Sequence, residues 1–276
     1  MKTVLITGCS TGFGRVTALR LAGRGWQVMA TVRREVDRAD LLAEAEGRSL
    51  DVFLCDVADD DQVAALSRAV AERAPALDAL VNNAGTAFPG PLELQPLADL
   101  RRQLDVNVVA QVAVTQAVLP LLKAARGTIV NVSSMGGRIA FPITGAYHAS
   151  KFALEALSDS LRIELAPFGV KVVVIEPGGS PTTIWGAGER HAAALLDDPR
   201  VEAYRPLVAR YLRLADASAR RGFPPQRFAE LVERILAEQR PRARYALPAQ
   251  AGLNILLRRL LPDWAWDAVL RRLFRW

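Results

Sequence analysis

Residues 3–15 read TVLITGCSTGFGR, and this stretch decides the fold. TVLITG (3–8) is a short apolar, β-branched run of the kind that forms a buried strand. Gly8, Gly12 and Gly14 follow, and a helical pattern begins directly after them. A tight turn alone would use glycines. Their place between a first strand and a helix adds a second reading: backbone without Cβ atoms can approach a pyrophosphate, and the helix N-terminus favours its negative charge.

The same alternation continues along the chain. Strand-like runs occupy 26–32, 50–57, 78–85, 127–134 and 170–178, with 243–248 as a seventh candidate. They are almost continuously apolar instead of alternating, which suits parallel strands covered on both faces. Between them lie segments such as DDDQVAALSRAVAERA (59–74), with acids at the start and apolar residues at helical spacing. The expected fold is therefore α/β: a Rossmann-type, doubly wound parallel sheet of about seven strands with helices on both faces. No linker or compositional shift divides residues 1–249, which are read as one domain.

Composition removes several function classes. The chain has 276 residues, 51% hydrophobic and 23% charged, as a globular protein does. Two cysteines, Cys9 and Cys55, make no disulfide framework, and two histidines without clustered cysteines make no zinc site. No metal is expected. The first strand starts at Thr3, which leaves no room for a secretory leader, and no run of about 18 apolar residues stands out. A cytoplasmic location follows as an expectation, with peripheral membrane contact as its variant. The net charge is +6, yet the arginines alternate with acids along the chain, so no nucleic-acid partner is expected.

The chain has four lysines against 31 arginines, and Lys151 falls four residues after Tyr147 in ITGAYHASKFALEAL (143–157). On a helix the two share one face, one turn apart. A phenol of ordinary pKa near 10 is a poor base at neutral pH. A nearby ammonium favours the phenolate, and its compact head forms hydrogen bonds that the planar fork of arginine does not. His148 is adjacent, but neighbouring helical positions diverge by about 100°, so it is read as packing or pocket edge.

The spacing TGxxxGxG, NNAG (82–85) after the fourth strand, and Tyr-x-x-x-Lys, in this order, resemble the short-chain dehydrogenase/reductase family over roughly residues 3–185. The resemblance implies a catalytic set of Asn107, Ser134, Tyr147 and Lys151. Ser134 would hold the substrate oxygen, Lys151 would lower the pKa of Tyr147, and Asn107 would help to order a water beside the lysine. Ser133 is then a local cap or packing residue. For the cofactor it implies Gly8, Ser10, Thr11, Gly12, Phe13 and Gly14 at the turn, with Asp56 and Val57 at the adenine. Asn83, Ala84 and Gly85 would lie along the adenosine, and Tyr147, Lys151, Pro177, Gly178 and Thr182 would meet the nicotinamide side, with Thr183 as the alternative to Thr182. Where an NAD-selecting acid would end the second strand, this chain has Val32 followed by Arg33 and Arg34. Two guanidiniums and no repelling carboxylate suit a 2′-phosphate, so NADP(H) is the expected cofactor and NAD(H) the alternative.

The resemblance also places a lid over the substrate at about 181–225. Ile139, Phe141, Pro142 and Ile143 would form another wall, which points to a small apolar carbonyl or alcohol. CSTGFG, the 147–170 segment and EPGG look similar to hydroxysteroid and retinol dehydrogenases. A catalytically idle, cofactor-binding sensor is the competing class, but all four catalytic candidates are present. Helices over 99–124 and 151–168 carry surplus apolar residues, including Val108, Val112, Val118, Leu154, Leu157 and Leu161, so a homodimer or homotetramer is expected. The tail, 250–276, holds three of the five tryptophans and five arginines against two aspartates, in two amphipathic helices broken at Pro262. It reads either as a membrane-surface anchor or as packing over the cleft or a neighbouring subunit; the second asks less of the sequence.

Overall fold

Along the first strand Val4 and Ile6 enter the core on one face of the sheet and Leu5 enters the core on the other, all three fully buried. A strand that is apolar at every position needs cover on both sides, and the chain supplies it. The computed structural model describes residues 1–181 and 198–276. Its strands are β1 (Thr3–Ile6), β2 (Gln27–Val32), β3 (Leu50–Leu54), β4 (Ala79–Asn82), β5 (Thr128–Val132), β6 (Lys171–Pro177) and β7 (Arg244–Leu247). All pair in parallel, in the order β3-β2-β1-β4-β5-β6-β7. The register places Leu5 beside Met29 on one side and Leu80 on the other.

One face is covered by α1 (Gly12–Gly23) and α2 (Glu35–Ala45), through residues such as Leu21 and Leu41. The opposite face is covered by α3 (Asp60–Arg73), by a run of α4 (Leu97–Leu104) and α5 (Ala110–Ala125), and by α6 (Gly145–Glu164). α3 starts as the acids suggest: Asp59 accepts a hydrogen bond from the backbone N–H of Gln62 at 3.1 Å. Beyond β6 come α7 (Arg205–Arg220), then α8 (Pro225–Ala237), whose Phe228, Val232 and Ile235 complete the first face. After β7 the helices α9 (Ala249–Leu260) and α10 (Asp263–Phe274) are separated at Pro262.

Leu97–Ala125 forms one continuous helical run that is long and apolar enough to cross a membrane by length and composition. The reading from composition, which saw no such run, is corrected here. Its Val114, Val118 and Leu122 are almost completely buried against the sheet. The buried third of its most apolar stretch is a layer against the sheet. A π-helical turn, Asp105–Val109, joins α4 to α5.

The direction of winding changes between β1 and β4, because β1 continues to β2 on one side while β4 continues to β5 on the other. In such sheets the crevice past the carboxyl ends of these two strands is where ligands bind.

Candidate active site

At that crevice the turn after β1 is locked by close approach. Gly8 has φ +71° and Gly12 φ +59°, backbone that residues with side chains adopt only with strain. A Cβ on Gly14 would stand 2.4 Å from the Gly8 carbonyl oxygen and 2.5 Å from Asn83 Nδ2, so the helix packs onto the turn only with glycine there. Asn83 Nδ2 donates to the carbonyls of Thr7 (2.9 Å) and Gly8 (3.0 Å), while Thr7 Oγ1 accepts from the N–H groups of Asn83 and Ala84, both at 3.0 Å. Asn83 therefore clamps β4 to β1. The Thr11 side chain makes no cap hydrogen bond to the N-terminus of α1, which begins at Gly12 in the groove wall. A helix start above a cradle of bare backbone fits a dinucleotide pyrophosphate.

The groove encloses ≈ 340 Å³ and is lined by Gly8, Ser10, Thr11, Gly12, Phe13, Arg33, Asp56, Val57, Asn83, Ala84 and Gly85 toward its nucleotide end. Ser134, Tyr147, Lys151, Pro177 and Gly178 line the other end. Gly14 sits behind the turn, and Thr182 and Thr183 lie outside the described residues.

Arg33 lines the groove at the end of β2, beside Val32. Arg34 does not. Its guanidinium forms a two-pronged pair with Asp37, at 2.8 and 2.6 Å, which holds the Asp37 carboxyl below its ordinary value. Of the two arginines expected at the cofactor, Arg33 lines the groove and Arg34 is held by Asp37. The cause is local: Asp37 falls in the first turn of α2 and captures the arginine that caps it. Asp56 is engaged as well, accepting from Arg102 at 2.7 Å and from the Ala58 N–H at 3.1 Å. Arg102, a groove residue that the sequence reading missed, comes from α4, far from Asp56 in the chain.

At the reacting end, Tyr147 and Lys151 are buried on the inner face of α6. Burial pushes the Tyr147 phenol above its ordinary pKa, and a hydrogen bond with the Ser134 side chain opposes this. Lys151 Nζ donates to the Val132 carbonyl at 2.8 Å and stands 5.9 Å from the centre of the Tyr147 ring. Burial pushes its ammonium down to about 8, against the pull of Glu155. In the protein by itself desolvation dominates both groups, and the Lys151 ammonium is directed at the Val132 carbonyl.

Ser134 Oγ accepts from the Gly136 N–H at 2.9 Å and so caps the 3₁₀ turn Met135–Gly137. Ser133, read as a local cap or packing residue, leaves the cap to Ser134; its hydroxyl is buried without a partner among the described residues. Asn107 lies in the π turn, fully buried, with Oδ1 accepting from Thr86 N at 2.8 Å and Nδ2 donating to Thr86 O (2.9 Å) and Ser150 Oγ (3.0 Å). The burial cost of this amide is met by protein groups. His148 is committed too: Nδ1 donates to the Gly136 carbonyl and Nε2 accepts from Thr144, each at 2.9 Å. Burial holds it below its ordinary pKa, which fits a neutral packing residue.

Sequence reasoning also missed the charges behind Lys151. Glu155, one turn further along α6, and Glu176 on β6 are nearly buried and share Arg138 and Arg244. The i, i+4 spacing of Lys151 and Glu155 was a usable signal; the two arginines come from distant segments and were not.

A groove for a dinucleotide, ending at a buried Ser–Tyr–Lys set, defines a nicotinamide-type oxidoreductase fold. The family profile described as short chain dehydrogenase matches residues 2–192. The chain belongs to the short-chain dehydrogenase family. It is 35% identical to an uncharacterized oxidoreductase, YusZ, of Bacillus subtilis, with 98% of each chain covered. Human retinol dehydrogenase 16 is 38% identical over 98% of this chain and 87% of its own. Among solved structures, a short-chain dehydrogenase from Streptomyces avermitilis superposes with a TM-score of 0.81 at 31% identity, covering 100% of this chain and 95% of that one. A Burkholderia phymatum member in complex with NAD has a TM-score of 0.81 at 25% identity, with 94% and 92% covered.

Proposed function

We propose that this protein is an NADP(H)-dependent oxidoreductase acting on the carbonyl or secondary alcohol of a small apolar substrate. The observation that carries the reading is the convergence of Ser134, Tyr147 and Lys151 at one end of a groove whose other end presents Arg33 and no acid at Val32. Gly8, Gly12 and the start of α1 would hold the pyrophosphate, Arg33 the 2′-phosphate, and Pro177 and Gly178 the nicotinamide side. The cofactor, when bound, supplies or accepts the hydride. Tyr147, a phenol that burial keeps protonated, gives its proton to the substrate oxygen during reduction, and as the phenolate takes the alcohol proton during oxidation. Ser134 holds that oxygen. Lys151, positively charged near neutral pH and fixed on Val132, supplies the charge that favours proton release from Tyr147.

The apolar character of the substrate is supported by the wall between Ser134 and Tyr147. Ile139 and Ile143 are buried in that segment and Phe141 meets the His148 ring with centroids 5.5 Å apart; among the described residues they stand behind the groove lining and not in it. Ile143 has φ +72°, strained for a β-branched residue, and its carbonyl accepts from Gly90 N at 2.7 Å. The name of the human relative, a retinol dehydrogenase, favours a lipid-like alcohol. The α5 and α6 side of the molecule supports a homodimer or homotetramer through exposed Val109, Leu157 and Ile163. Val118 and Leu154, first assigned to that contact, are buried within the chain's own core.

The test is a panel of ketones, steroids, retinoids and sugars, with NADPH or NADP followed by absorbance. Turnover of apolar members is the expected result. Turnover confined to sugars, or none at all, would defeat this reading.

A further inference from the structure

Helix α9 is built inside out. At 100° per residue, Leu253, Leu256, Leu257 and Leu260 fall within one arc of about 100°. They are 61%, 51%, 46% and 71% exposed, while Ala251 on the opposite side is buried. An amphipathic helix of a globular fold turns its apolar stripe inward; this one turns it out.

The helix is nonetheless held firmly. Arg258, on the inner side of α9, pairs with Asp263 at 2.6 Å and lies over the Trp266 ring, tying α9 to α10. Phe274 anchors α10 in a cluster with Ile143, Leu207, Val208 and Tyr211. The leucines thus form a fixed plane. Trp264, 76% exposed, follows Leu260 four residues on, at the start of α10. Arg259, Arg271, Arg272 and Arg275 are exposed nearby, and none of them forms an ion pair among the described residues.

We propose that the outward face of α9, with Trp264, seats the protein on an anionic lipid bilayer, with α9 lying in the plane of the interface. Apolar side chains entering the acyl boundary, with tryptophan and arginine at headgroup level, are the chemistry of such helices. Charge decides between a bilayer and a second copy of the chain. A two-fold contact through this stripe would bring the arginines of both copies together, whereas anionic headgroups neutralise them.

The experiment uses the full chain and sedimentation with two vesicle types: pure phosphatidylcholine, and phosphatidylcholine with about a third phosphatidylglycerol. The wild type is expected to sediment with the anionic vesicles. Leu253→Glu with Leu260→Glu should lower partitioning by about tenfold or more, since it puts two charges into the apolar stripe. Arg259→Gln, Arg271→Gln and Arg272→Gln together should remove only the part that depends on phosphatidylglycerol. All these side chains are exposed, so the variants should keep the wild-type circular dichroism, and the leucine variant should keep its turnover of a water-soluble substrate. The proposal is overturned if the wild type stays in solution, or if the leucine variant sediments like wild type. It is also overturned if light scattering shows that the leucine change splits an oligomer, which would make the stripe an interface between copies. None of these outcomes touches the proposed hydride transfer.

Discussion

At the end of the groove proposed for the nucleotide the charged side chains stand partly in water: Arg33 is exposed, and Arg102 is 42% exposed. At the reacting end Tyr147 is 7% exposed and Lys151 4%. Charges at the first end interact through screened Coulomb forces, which salt weakens and which change little when one partner is replaced. Groups at the second end are governed by desolvation, which moves both the phenol and the ammonium away from their ordinary pKa values. The difference implies that binding preference can be rewritten at one end by single charges. Reactivity at the other belongs to a coupled set.

The sharpest way to break this contrast is Tyr147→Phe. It removes one hydroxyl from a buried ring and leaves the packing in place. Loss of the proton donor should lower kcat by about 10²–10⁴-fold. Cofactor affinity, set largely at the other end, should stay within about twofold, as read by NADPH fluorescence titration. A parallel loss of affinity would show that the two ends are not separable.

The next effect concerns the exposed end. Arg33→Ala should lower kcat/KM with NADPH by about tenfold or more while leaving NADH nearly unchanged, because a charge-assisted hydrogen bond to phosphate is lost. Val32→Asp should reverse the preference, since a carboxylate there repels the phosphate and accepts the ribose hydroxyls. Both effects should shrink in high salt. Equal weakening of both cofactors by Arg33→Ala would refute the NADP reading.

A smaller change tests the coupling at the buried end. Lys151 is held at about 8, and the Glu155 carboxylate acts to raise that value. Ketone reduction by wild type should therefore decline as pH rises through about 8, where the ammonium is lost. Glu155→Gln removes the supporting negative charge, so the ammonium should be lost at lower pH and the decline should move in the acid direction. The readout is the midpoint of the pH profile, because Glu155 also accepts from Arg244 at 2.9 Å and its loss will lower stability as well. An unmoved midpoint would mean that Lys151 does not set the alkaline limb.

Much of this molecule can be read before any coordinates. About seven strands were expected and seven are present among the described residues, because a strand buried on both faces must be apolar at nearly every position, and that pattern is local. Their ends were placed too far out: residues 7 and 8 belong to the turn, where Thr7 Oγ1 binds the β4 end and not the sheet. Tyr147 and Lys151 could be paired from their spacing on one helix, and Ser134 came from the family resemblance; all three line one groove. Long-range partners leave no such trace. Nothing near Asp56 names Arg102, and nothing in the Asn82 stretch announces that its side chain donates to Asn131 and Thr115, each at 2.9 Å. Arg34 failed for the opposite reason. The competitor was only three residues away, but an i, i+3 acid that captures an arginine looks the same in sequence as one that leaves it free.

Arg34→Ala carries the smallest expected effect and sharpens the comparison most. If Arg34 is spent on Asp37, its removal should leave the ratio of kcat/KM for NADPH and NADH within about twofold of wild type, in contrast with Arg33→Ala. The change should appear in stability instead. Asp37 loses the guanidinium that keeps its carboxyl below the ordinary value, and the residue is only 8% exposed. A carboxyl whose folded pKa is depressed contributes stability above its unfolded pKa of about 4, and that contribution is lost as pH falls through the folded value. The Tm of the variant should therefore lie below wild type at neutral pH, and the gap should close as the solution is made acid. A fall in NADPH preference as large as that of Arg33→Ala, with no change in Tm, would mean that the phosphate draws Arg34 away from Asp37. The nucleotide end would then be a coupled set as well.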